Sequence, residues 1–161
     1  MRIDVDIEET IDRYGDVVLR ACSAYLRHQD AEDVFQDTFL KYATHEQAFN
    51  GEDHRKAWLI RVAVNLSKDR LRSSSGKTVS LDQVPEATVD ADDDTAVERM
   101  HIRQAMACLS DDQRLALMLS AVEGYTVPEI AQIMGKPHNT VYSHIRRGKK
   151  KLEKVLAHDR A

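Results

Sequence analysis

The chain has 161 residues, enough for one ordinary domain or two small ones, and its 42% hydrophobic and 31% charged content excludes a bulk-disordered polymer. Six glycines, three prolines and almost no strand-like alternation exclude a β-rich fold and predict an all-α one. The net charge of −4 conceals an uneven distribution. Residues 1–72 carry 11 basic and 14 acidic side chains, residues 73–107 three and seven, and residues 108–161 nine and six. The C-terminal third is therefore basic, most of it between Arg146 and Lys154, and a local stripe of that kind matters more to nucleic acid than the whole-chain balance.

The N-terminus is acidic and lacks an apolar core, so no signal peptide is expected there, and no apolar run approaches the ~20 residues of a membrane span. Cys22 and Cys108 stand alone without metal-ligand spacing and are expected to be reduced, buried small residues of a cytoplasmic protein. No cofactor or metal motif is present in the pattern.

Three segments are expected: a helical domain over 1–72, a flexible acidic linker over 73–95, and a second helical domain over 96–161. Ile7 to Leu26 predicts a helix or helix pair with Ile7, Ile11, Val18, Leu19, Cys22 and Leu26 in the core. Asp30 is expected to cap a second helix, Ala31 to Ala43, that buries Val34, Phe35, Phe39, Leu40 and Ala43. After Asn50-Gly51 a third helix is expected from Lys56 to Leu71. Trp58, Leu59, Val62, Ala63 and Leu66 form its inner stripe, with Arg61, Asn65, Lys68, Asp69 and Arg72 outside.

The linker opens with Ser73-Ser-Ser-Gly-Lys and ends in Asp90-Ala-Asp-Asp-Asp. Beyond it, Ser110 or Asp111 caps a supporting helix packed through Leu115, Leu117, Met118, Leu119 and Val122. Thr126 and Glu129 have capping-box spacing, Pro128 falls in the first turn, and Gly135 stands where a tight turn wants a left-handed residue. His138 or Asn139 then caps a helix with Val141, Ile145, Leu152 and Val155 inward. Its outer face presents Thr140, Tyr142, Ser143, Arg146, Arg147 and Lys150, donors and cations suited to base edges and phosphates. A bare Lys/Arg run is usually a solvated face. Here cap, small Ala131, turn glycine and basic helix stand in register, the pattern of a helix-turn-helix.

Three stretches in order, Asp30-Ala-Glu-Asp-Val-Phe-Gln-Asp-Thr-Phe-Leu-Lys, Ala57-Trp-Leu-Ile-Arg-Val-Ala-Val-Asn, and Leu109 to Leu152, resemble the extracytoplasmic-function sigma factors, which keep only regions two and four. The resemblance implies core RNA polymerase and promoter DNA as partners and admits an anti-sigma protein. It implies that Asp33, Gln36, Asp37, Phe39 and Lys41 dock the clamp helices of the polymerase largest subunit. It further implies that Asn65 captures a flipped base of the minus-ten element, with Arg61, Lys68, Arg70 and Arg72 holding strand phosphates. Thr140, Tyr142, Ser143, Arg146, Arg147 and Lys150 would then face the minus-thirty-five element. Tyr142 and His144 stand where many relatives carry basic residues, and Asn139 where they carry Gly, so the preferred sequence need not be theirs.

Two other readings predict different behaviour. A one-component regulator would place a ligand pocket in residues 1–72 and bind duplex DNA unaided. An enzyme would need His28, Asp30, Glu32, Asp33 and Asp37 to form a metal site, yet Asp33 and Asp37 share a helix face without a matching histidine.

Overall fold

The structure, a computed structural model, describes residues 4–73, 101 and 104–159. The expected linker lies outside the described residues except for Ser73. All regular structure among the described residues is helical, and the chain divides into two units, Met1–Thr78 and Val79–Ala161.

The first unit packs three helices: α1 (Asp4–Ser23), α2 (His28–Thr44) and α3 (Glu52–Ser73). α1 buries Thr10, Tyr14, Val17, Val18, Ala21 and Cys22, a stripe at three- and four-residue spacing. Leu19, expected in the core, lies about 140° round the helix from that stripe and is exposed. Burial pushes the Cys22 thiol up to about 11, which leaves it an unreactive packing group, whereas Cys108, also expected inside, is exposed.

α2 begins before Asp30: Arg27 holds the cap position without a side-chain bond, and Asp30 sits in the first turn. Its buried stripe runs through Ala31, Val34, Thr38, Phe39 and Tyr42. Thr38 can occupy an apolar slot because its hydroxyl donates to the Val34 carbonyl at 2.7 Å. That register turns Leu40 outward to 64% exposure and Phe39 inward to 5%, reversing the expected burial of Leu40.

α3 also begins earlier than expected. Glu52 and Asp53 occupy its first turn, where carboxylates complement the helix dipole, and Arg55 N–H bonds the Gly51 carbonyl. Its core face is Leu59, Ile60, Ala63, Val64 and Ser67; Val62 and Leu66 are half-buried flanks. A polar network joins the three helices at one end. Thr10 donates to the Tyr42 oxygen (3.1 Å), Tyr42 donates to Asp6 (3.0 Å), and Arg55 donates to both Asp6 (3.2 Å) and Tyr42 (3.1 Å). Beside it, Tyr14 donates to Glu52 at 2.5 Å, and this bond, with Arg55 and Arg13 nearby, holds the Glu52 carboxyl below its ordinary value.

The second unit contains α4 (Asp111–Ala121), α5 (Val127–Met134) and α6 (His138–Asp159), preceded by helical residues 104–107. Ser110, not Asp111, caps α4 through a reciprocal box with Gln113. The Arg114 guanidinium donates to the carbonyls of Met106 (3.0 Å) and Leu109 (2.9 Å), closing the turn before α4. Leu115, Ala116 and Leu119 of α4, Ile130, Ala131, Ile133 and Met134 of α5, and Val141 and Ile145 of α6 build the core. Val122, expected inside, follows the last turn of α4 and is exposed.

Candidate nucleic-acid interface and docking face

The α5–turn–α6 geometry follows from local chemistry. Thr126 accepts from the Glu129 N–H at 3.4 Å while Glu129 accepts from the Thr126 N–H at 3.2 Å, so two orphan donors are satisfied reciprocally. The Thr126 hydroxyl also donates to Glu129 at 2.7 Å, and the two bonds hold the Glu129 carboxyl below its usual value. Gly135 takes the left-handed conformation (φ 65°, ψ 37°), and Lys136 N–H returns to the Ala131 carbonyl at 3.1 Å. Lys136 also pairs with Asp112 at 3.3 Å, fixing the turn to α4.

α6 starts at His138, one residue before Asn139, and neither residue is its cap. The Val141 N–H bonds the Pro137 carbonyl, so Pro137 closes the start, and His138 and Asn139 are exposed first-turn residues. Val141, Ile145 and Gly148 face inward. Gly148 is buried against Gln113 and Leu109, where α6 crosses α4. Tyr142 (60% exposed), Arg146, Arg147 and Lys150 face out, and Thr140 and Ser143 are half-buried at the margins. The six expected residues thus lie on one side of α6. His138 and Asn139 extend that side to the helix start, the part of a helix-turn-helix that usually meets base edges. Their polarity was visible in the sequence, but it read as capping.

On α3, Arg61, Asn65, Lys68 and Arg72 fall within about 60° of one another on an ideal helix. Arg61, Asn65 and Arg72 are exposed. Lys68 is half-buried with its ammonium 5.9 Å over the Tyr25 ring, and Arg72 also pairs with Asp69 at 3.5 Å. Arg70, expected to hold phosphate, points elsewhere: it bonds Asp30 (2.8 Å) and Asp33 (3.2 Å) of α2.

Two turns before Asn65, on the same side of α3, Trp58 is half-buried and not core. Its ring centroid lies 4.6 Å from that of His45 and 5.5 Å from that of Phe49, both in the α2–α3 connection. Phe49 also stacks on His45 at 5.1 Å, and the Arg55 guanidinium lies 5.5 Å from its centroid. This aromatic ledge continues the Asn65 stripe with surfaces on which a base can stack. The sequence hid it because the connection has no helical period.

α2 presents Gln36, Asp37, Leu40 and Lys41 to solvent, with Asp33 half-buried beside them. Phe39, expected on this docking face, is core, and Leu40 takes its place outside.

Among the described residues no group of three or more His, Cys, Asp or Glu side chains could hold a metal ion, and no helix is long and apolar enough to cross a membrane. The first unit's cleft, lined by Glu9, Thr10, Arg13, Tyr14, Glu52 and Arg55, is small and polar.

Residues 10–76 match the sigma-70 region 2 family, and residues 99–152 match the sigma-70 region 4 family. The chain is 26% identical to the ECF RNA polymerase sigma factor SigW of Bacillus subtilis, covering 92% of this chain and 87% of that protein. It is 30% identical to the RNA polymerase sigma-H factor of Pseudomonas aeruginosa over 80% and 74% of the two chains. In fold it is similar to the sigma factor RpoE of Bartonella quintana, solved with the anti-sigma factor NepR (TM-score 0.69, 20% identity, covering 94% and 97%). A second such likeness is to CnrH, solved with the cytosolic domain of CnrY (TM-score 0.63, 23% identity, covering 95% and 88%). With both conserved regions matched in order along a helix-turn-helix protein of this design, the chain belongs to the extracytoplasmic-function sigma factors of RNA polymerase.

Proposed function

We propose that α2 docks core RNA polymerase, α3 receives the opened minus-ten strand, and α6 reads the minus-thirty-five element in the major groove. The observation that carries this reading is the single face of α3 shared by Arg61, Asn65, Lys68, Arg72 and Trp58. An amide offers donor and acceptor to the edge of an extruded base, the flanking cations hold phosphates, and the ledge of Trp58, His45 and Phe49 takes a base by stacking. α6 supplies direct readout through Arg146, Arg147, Ser143 and Tyr142, with Lys150 on phosphate.

On α2, Gln36, Asp37 and Lys41 give polar complementarity to a basic partner helix, and Leu40 gives it an apolar anchor. The site of action is the cytoplasm, where polymerase works, and no catalytic step is assigned to the chain. Because RpoE was solved with an anti-sigma factor, an inhibitory partner of that kind is part of the proposal. The test is Asn65→Ala in reconstituted transcription on genomic fragments. Permanganate reactivity of the minus-ten thymines should fall severalfold while co-elution with core polymerase is unchanged; full opening by the variant would refute the role of Asn65.

A further inference from the structure

The placement of Arg70 carries a consequence for the docking face, and it rests on the reading that α2 meets core polymerase. A carboxylate recruits a basic partner in proportion to how little its charge is already answered. On α2 the two carboxylates nearest the start of the docking face are answered from within: the Arg70 guanidinium of α3 bonds Asp30 at 2.8 Å and Asp33 at 3.2 Å. Arg70 lies about 140° round α3 from Asn65, so its cation does not serve the DNA stripe. The three side chains are 38%, 44% and 40% exposed, which keeps the contact open to solvent and exchangeable.

We propose that Arg70 is an internal competitor for the docking face. It occupies Asp30 and Asp33 in the free protein, and a basic helix of the polymerase must displace it to use them. The same arrangement damps attraction to other basic surfaces, because a partner that offers charge without shape gains little by exchanging one cation for another. Helix packing through Leu59, Ile60, Ala63 and Val64 does not depend on it.

The competitor role and a purely structural role predict opposite signs. Affinity of the full-length chain for purified core polymerase, measured without DNA, should rise about two- to fivefold in Arg70→Gln, the scale of an exposed ion pair, with a steeper salt dependence. Arg70→Lys should tighten binding by less, since the ammonium keeps the charge beside Asp30 and Asp33 but sits on a shorter side chain than the guanidinium whose Nη2 reaches both. The double variant Arg70→Gln/Asp33→Asn should lose the gain. If Arg70→Gln is poorly folded by circular dichroism, Arg70→Lys decides; equal or weaker binding by a folded variant overturns the inference. Asp33→Asn and Asp37→Asn alone separate the two claims. If they leave core binding intact, the docking reading itself falls; if they weaken it while Arg70→Gln does not tighten it, only the competitor role falls.

Discussion

Leu40 and Phe39 are neighbours with opposite fates, decided by a hydroxyl one residue away. Thr38 satisfies itself on the Val34 carbonyl and joins the core, which rotates the apolar stripe of α2 past Leu40. Leu40→Glu should therefore weaken association with core polymerase at least tenfold while thermal stability changes by no more than about 0.5 kcal/mol. Phe39→Ala should instead cost about 3–5 kcal/mol of stability. Thermal melts beside core-binding titrations check both; a stability loss at Leu40 would place it in the core after all. On α6, Arg147→Ala should cost about 1–3 kcal/mol of minus-thirty-five binding and relax selectivity at one base pair. Lys150→Ala should weaken binding evenly across sequences. Selection from a randomised element distinguishes the two patterns.

At the scale of elements, the turn between α5 and α6 was legible in the sequence because each signal acts locally: Thr126 with Glu129, Pro128, Gly135. The starts of α2 at His28 and of α6 at His138 were not, since neither uses the side-chain cap that the neighbouring Asp30 and Asn139 advertised. Gly148 stands within the basic run from Arg146 to Lys154, yet it is buried at the α4–α6 crossing. A Cβ there would lie 3.7 Å from Gln113, an ordinary contact, so Gly148→Ala should stabilise the second unit by about 0.5–1 kcal/mol in thermal unfolding. A destabilised variant would mean a tighter crossing than this one. The Tyr14–Glu52 contact predicts a pH effect on the first unit. The folded Glu52 carboxyl is held below its unfolded value, so its contribution is present above the ordinary glutamate range and is lost as pH falls through the depressed folded value. Followed through the fluorescence of Trp58, the only tryptophan, Glu52→Gln should be less stable than wild type at neutral pH and indistinguishable from it in strong acid. A gap that persists in strong acid would contradict the linkage.

For the whole molecule, the order of the two helical units and the exposure of most residues proposed to face the promoter followed from the sequence, because polar side chains at helical spacing opposite an apolar stripe point to solvent. What tertiary packing alone decides escaped it: the aromatic ledge assembled from the α2–α3 connection, and the diversion of Arg70 to α2. In the proposed reading, core polymerase supplies the spacing between the two helical units. The most direct measurement is promoter-specific run-off transcription with purified core polymerase, paired with duplex binding by the chain alone. Transcripts should appear only when chain and core are both present, with weak binding by the chain on its own. Tight duplex binding without any association with core polymerase would contradict the proposed reading.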